Sequence, residues 1–267
     1  MVELRAENLR KVFKQGYLRY TGKTVVKSLN LTVSEGSGII ALAGESGSGK
    51  STVALMLLGL LQPTSGAVIY NGQNINALSA PGKKEFRRNV QAVLQDPFAS
   101  FNPFYSVDRF LMVPLEKFKI GRTRAEKKEI ISRSLFDIGI NPDEVLGRYP
   151  HQLSGGQRQR LAIARALSVQ PKVLIADEPV SMVDASLRAT ILASLKKMNR
   201  DFNIPILYIT HDLITAYHVC DYLVIMKDGE VVEEGSPEAV IKSPAHPYTK
   251  LLVDSIPWPD LNRCWKI

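Results

Sequence analysis

Apolar and polar positions alternate through residues 3–9 and again through residues 29–33. Period-two alternation suits a half-buried strand, because successive side chains point to opposite faces. These stretches predict two antiparallel strands, with a polar loop over residues 15–23 between them. Residues 67–70 and 73–75 flank Asn71-Gly72, a dipeptide that favours the tight turn of a hairpin. A second hairpin is predicted within residues 222–234, turning at Asp228-Gly229. Residues 38–43, 173–176 and 206–209 are different: short, nearly continuous apolar runs. That is the pattern of strands buried on both faces, as in a parallel sheet. Helical stretches separate them, such as residues 52–61 and 157–168. The pattern predicts an α/β core with a mostly parallel sheet and an antiparallel β subdomain in front of it.

Residues 97–152 break this alternation. Residues 124–138 carry helical periodicity and dense charge, with Pro97, Pro103 and Pro114 before them and Asn141-Pro142 and Pro150 after. This reads as a helical subdomain inserted in the core. From Ser236 the chain is rich in proline (Pro237, Pro244, Pro247, Pro257, Pro259) and reads as an irregular appendage with one short helix near residues 238–242. The expected division is therefore residues 1–235 and a short tail, 236–267.

Length and composition narrow the function classes. The 267 residues, 45% hydrophobic and 22% charged, suffice for one large domain with a small appendage. Met1-Val2-Glu3-Leu4-Arg5 is not a signal peptide, and the apolar stretch 53–61 is too short to span a bilayer. A soluble protein that reaches any membrane through another chain or through its own surface is expected. Cys220 and Cys264 are too few for a disulfide framework or a zinc site. The net charge of +8 is spread over scattered pairs such as Arg87-Arg88 and Lys196-Lys197. They are not interleaved with aromatics, so no nucleic-acid partner is expected.

Two motifs carry phosphate chemistry. Gly44-Glu45-Ser46-Gly47-Ser48-Gly49-Lys50-Ser51 fits a P-loop and stands between an apolar strand and a helix. Its glycines let backbone N–H groups turn inward around phosphate oxygens. Lys50 supplies a compact positive charge at the β- and γ-phosphates, and the Ser51 hydroxyl suits Mg²⁺. Gly44, Ser46, Gly47, Ser48, Gly49, Lys50, Ser51 and Thr52 are the expected ATP-binding set. The run 173–176 ends in Asp177-Glu178. A carboxylate at a buried strand end is costly to desolvate. Beside a triphosphate Asp177 suits Mg²⁺, and Glu178 suits polarising the attacking water.

Leu153-Ser154-Gly155-Gly156-Gln157 places a helix N-cap before two glycines, an anion-binding arrangement. Such a string arises by chance in roughly one chain in ten thousand. It resembles the signature motif of the ATP-binding cassette (ABC) family. That resemblance implies a P-loop NTPase core whose signature (Ser154, Gly155, Gly156, Gln157) meets the γ-phosphate of ATP held by a second cassette. It also implies a Q-loop glutamine at Gln95, ligating Mg²⁺ with Ser51 and Asp177, and a switch histidine at His211. Ser181-Met182-Val183-Asp184 resembles the D-loop, although Ala-Leu is commoner at its centre; Asp184 is retained. Phe13 matches the aromatic that stacks on adenine, with Tyr17 and Tyr20 as alternatives nearby and plain core packing as the bland reading.

Gln95-Asp96-Pro97 with Ser100-Phe101-Asn102-Pro103, and His246-Pro247-Tyr248-Thr249 before Leu251-Leu252, are similar to the oligopeptide/dipeptide/nickel importer branch. The branch implies transport-coupled ATP hydrolysis at the cytoplasmic face of the cell membrane. Its partners are permease transmembrane subunits, an identical or homologous second cassette and, indirectly, an extracytoplasmic solute-binding protein. Cargo is peptide by default, with oligosaccharide or nickel as alternatives. Some longer members carry a Cys-rich iron–sulfur segment; with only Cys264 near the end, no cluster is expected. DNA-maintenance ATPases share the P-loop and signature, but need a long coiled-coil insertion or more cysteines. A soluble assembly ATPase, such as the cassette of a phosphonate-degrading lyase complex, is the remaining alternative.

Overall fold

The three apolar runs become the centre of the sheet. In this computed structural model, which describes residues 2–15, 21–96, 101–181 and 183–256, β3 (Ile39–Ala43), β7 (Val173–Asp177) and β8 (Ile206–Thr210) are buried at every position. β6 (Val90–Val93) and β9 (Tyr222–Lys227) complete a parallel set in the order β9-β3-β8-β7-β6. Ile39, Ala41 and Ala43 of β3 face one core with Ile206 and Tyr208, while Ile40 and Leu42 face the other with Leu207 and Ile209. The two-residue period thus divides one continuous apolar run between two cores.

The second core is closed by α1 (Lys50–Leu57) and an antiparallel set, β1 (Glu3–Gln15), β2 (Thr21–Ser34), β4 (Ser65–Tyr70) and β5 (Gln73–Asn74). β10 (Glu230–Gly235) joins the two sets, giving the order β5-β4-β1-β2-β10-β9-β3-β8-β7-β6. Both turns named from the sequence have positive φ at both residues, 48° and 79° at Asn71-Gly72 and 47° and 83° at Asp228-Gly229. The loop expected over residues 15–23 is shorter than that. The β1–β2 ladder still pairs Phe13 with Lys23 and Gln15 with Thr21, and of this stretch residues 16–20 alone lie outside the described residues.

The first core is covered by α3 (Val107–Phe118), α4 (Arg124–Asp137), α5 (Gly155–Ser168) and α6 (Ala185–Phe202), with α2 (Ala80–Asn89) and α7 (Leu213–Val219) filling connections. α3 was not anticipated, because it carries Pro114 inside it. The apolar stripe Val107, Leu111 and Leu115 buries against the core and holds the helix through the proline. α1 starts at Lys50 and ends at Leu57, earlier at both ends than the apolar pattern suggested. The tail also needs correction. Its described part forms two helices, α8 (Pro237–Lys242) and α9 (Pro247–Asp254), where one short helix in an irregular segment was expected. Each has proline in its first turn, where the missing N–H is not needed. Cys264 lies outside the described residues.

Candidate functional site

Four parallel strands deliver the site from their carboxyl ends, the usual ligand edge of an open α/β sheet. The phosphate loop follows β3, Gln95 lies just beyond β6, Asp177-Glu178 close β7, and His211 follows β8. Gly44 has φ 152°, and any Cβ there would collide with the Met226 carbonyl at the end of β9. Glycine is therefore the residue that lets the loop leave β3. Gly49, at φ 107°, ends the loop, and Lys50 begins α1.

The Lys50 side chain is 4% exposed, and its ammonium donates to the carbonyls of Gly44 at 2.8 Å and Glu45 at 2.7 Å and to Ser48 Oγ at 3.3 Å. Burial lowers its pKa, while Glu178, Asp177 and Glu45 oppose that shift. Ser51 Oγ donates to Asp177 Oδ1 at 3.3 Å. Asp177 is 6% exposed; burial raises its pKa, and the Ser51 hydrogen bond pulls the other way. Glu178 sits in the left-handed region at φ 46° with its N–H on the Ile209 carbonyl. Its carboxylate accepts from Gln95 Nε2 at 2.9 Å and lies 3.0 Å from His211 Nδ1. Three residues distant in sequence therefore meet at one carboxylate.

Glu45, Ser46, Gly47, Gly49, Lys50, Ser51, Thr52, Gln95, Glu178 and His211 line one cavity of about 630 Å³. Asp177 stands behind it, on Ser51. The other expected residues lie elsewhere. Ser154 caps α5, accepting from the Gln157 amide at 3.2 Å, while Gln157 Oε1 accepts the Ser154 amide at 3.0 Å, a complete capping box. Gly156 packs where a Cβ would stand 2.5 Å from the Leu187 side chain. Asp184 is exposed at the start of α6. None of Ser154, Gly155, Gly156, Gln157 or Asp184 lines the cavity. Phe13 is 38% exposed on β1 with the Lys11 ammonium 5.2 Å from its ring, which is not core packing, and it does not line the cavity either. Tyr17 and Tyr20 lie outside the described residues.

Residues 26–181 match the family described as ABC transporter. The chain belongs to that family. Residues 232–266 of the cassette separately match the oligopeptide/dipeptide transporter C-terminal region. A putative oligopeptide transport ATP-binding protein of Bacillus subtilis, YkfD, is 40% identical over 235 residues, covering 88% of this chain and 71% of its own. The oligopeptide transport ATP-binding protein OppF of Lactococcus lactis is 39% identical, covering 89% and 74%. Among solved structures, a dimeric post-hydrolysis state of the cassette MJ0796 bound to ADP and Pi superposes with a TM-score of 0.78 at 29% identity, covering 88% of this chain and 98% of that one. CbiO1 of Clostridium perfringens, part of a cbiONQ transporter complex, gives 0.75 at 29% identity and 90% coverage of each chain.

Sequence reasoning gave no role to the residues that close the cavity from the tail. Leu252 and Ser255 line it, and Val25 of β2 does so from the other side. The motif containing Tyr248 was visible only as a family likeness; nothing local in it points to the phosphate loop.

Proposed function

We propose that this chain is the ATP-hydrolysing subunit of a binding-protein-dependent peptide importer. The observation that carries the reading is the convergence of Gln95, Glu178 and His211 at the mouth of the phosphate-loop cavity. The relatives named for oligopeptide transport, and the separate match of the C-terminal region, support peptide cargo over a soluble assembly role.

In this reading the loop amides and the Lys50 ammonium bind the ATP phosphates. Glu178 polarises the attacking water, and Gln95 and His211 hold its carboxylate in place. Phe13 stacks on adenine. The Ser51 hydroxyl, the Gln95 side-chain carbonyl and the buried Asp177 carboxylate form an all-oxygen set, which fits a hard cation. Together they would hold Mg²⁺, which neutralises phosphate charge as it develops.

Ser154, Gly155, Gly156 and Asp184 lie outside the cavity because their partner is the ATP of a second cassette. MJ0796, a structural neighbour, is a dimer in its solved form. ATP binding favours the closed pair, and hydrolysis releases it.

Among the described residues no helix is long and apolar enough to cross a membrane. In this reading the permease is a separate partner, met at the cytoplasmic face, with the solute-binding protein engaging the permease from outside. The inserted helices offer the docking surface. A groove of about 780 Å³ runs between α3 and α4, lined by Arg109, Met112, Val113, Glu116 and Lys128 among others, and Phe104 nearby is 85% exposed. A short permease helix fits such a groove. Cysteine placed at Val113 should crosslink to a permease in the assembled transporter; crosslinks mapping only to residues 236–267 would refute the assignment of this surface.

A further inference from the structure

Tyr248 lies 203 residues from Glu45 in sequence, yet its hydroxyl accepts a hydrogen bond from the Glu45 amide at 3.1 Å. Glu45 is the second residue of the phosphate loop, and its carbonyl receives the Lys50 ammonium at 2.7 Å. Contacts therefore run from α9, through the backbone of a single residue, to the cation of the loop.

The tyrosine is held from several sides. It is 4% exposed, the Lys227 ammonium of β9 stands 4.6 Å from its ring centre, and its own amide donates to His246 Nδ1 at 3.1 Å. The Glu233 carboxylate of β10 accepts the Ala245 and His246 amides at 2.8 and 3.0 Å and ties down the start of α9. Burial raises the Tyr248 pKa, so the group stays a neutral hydroxyl at working pH. Tyr248, Leu252 and Ser255 follow the i, i+4, i+7 spacing of one helical face. Leu252 and Ser255 on that face line the same cavity as Lys50, Glu178 and His211.

We propose that α9 is a wall of the nucleotide site and that Tyr248 is a positioning residue, pre-organising the phosphate loop by fixing the Glu45 peptide that seats Lys50. The C-terminal region then acts inside the cassette's own ATP site. This rests on the phosphate-loop reading given above. A loop ordered in advance binds phosphate without first being gathered into shape, so loss of the pin lowers apparent affinity by the fraction of loops still in register.

Tyr248→Phe keeps the ring and removes only the hydroxyl. ATP affinity of the full chain, measured by calorimetry, should weaken about three- to tenfold, the range for one lost hydrogen bond. The melting temperature of the nucleotide-free protein should fall by only about 1–6 °C, the range for one lost hydrogen bond of roughly 0.5–1.5 kcal/mol with the packing volume conserved. Hydrogen exchange at the Glu45 amide should speed up while the amides of β3 stay protected. Unchanged ATP affinity would overturn the proposal. If the variant melts lower than that, exchange decides: acceleration confined to the loop supports the proposal, and acceleration spread across β3 overturns it. Lys50→Ala run alongside separates the two levels. If it too leaves ATP affinity intact, the phosphate-loop reading fails; if it abolishes binding and Tyr248→Phe does nothing, only the role of Tyr248 fails.

Discussion

Replacing Lys50 by alanine removes the one cation buried in the phosphate loop. Its ammonium makes three contacts, two to loop carbonyls and one to Ser48 Oγ, with almost no exposure. When the same donors turn to phosphate oxygens, each charge-assisted hydrogen bond contributes about 1.5–3 kcal/mol. Two such bonds give about 3–6 kcal/mol, or roughly a hundred- to ten-thousandfold in Kd. The cost to the empty fold is smaller, because two opposing effects meet. The Gly44 and Glu45 carbonyls lose their donor, while a desolvated cation, whose burial already lowers its pKa, disappears. Melting should therefore shift by only a few degrees. Calorimetric titration of ATP into wild type and Lys50→Ala, without magnesium so that no turnover intervenes, reads the loss directly. A Kd within threefold of wild type would refute the assignment of this loop to the triphosphate.

Phe13→Ala should weaken ATP binding by about 1–2 kcal/mol if the exposed ring stacks on adenine, and a Tyr20→Ala variant that weakens it instead would move the stacking role. Glu233→Gln should lower the melting temperature by about 2–4 °C at neutral pH, for roughly 1 kcal/mol of lost amide anchoring. Partial burial pushes the Glu233 carboxyl up, but the Ala245 amide, the Thr249 side chain and the His246 amide together outweigh it, so its folded pKa lies below the usual 4.5. Its contribution is then complete above pH 4.5 and fades as the pH falls through the lower folded value, so the difference between variant and wild type should shrink in acid. A difference that stays constant down to acid unfolding would contradict that anchoring.

The parts of the fold legible in the sequence were those whose physics is local. β3, β7 and β8 showed as apolar runs because both faces are buried, and Asn71-Gly72 and Asp228-Gly229 showed as turns because both residues sit at positive φ. The phosphate loop showed because strand, glycines and helix are consecutive. Elements defined by distant packing were missed. α3 tolerates Pro114 only because Leu111 and Leu115 bury against the core, and α9 begins at a proline that reads equally well as a tail. The meeting of Gln95, Glu178 and His211 was implied by family resemblance alone, since they share no local pattern. The contact of Tyr248 with Glu45 was invisible for the same reason.

The proposed cassette hydrolyses ATP at Glu178 and completes the site of a second cassette with its signature. Glu178→Gln tests this most directly. Glutamine keeps the shape and can still meet Gln95 and His211, but lacks the charge that polarises water. The ATP then remains bound between Lys50 of one chain and Ser154-Gly155-Gly156 of the other, favouring the closed pair by its higher affinity for that state. Light scattering of Glu178→Gln with Mg-ATP, alone and mixed with a homologous partner cassette, should show a dimer in at least one of the two, with hydrolysis nearly abolished. A protein that stays monomeric in both with ATP demonstrably bound, or one that hydrolyses ATP at the wild-type rate, would contradict the account.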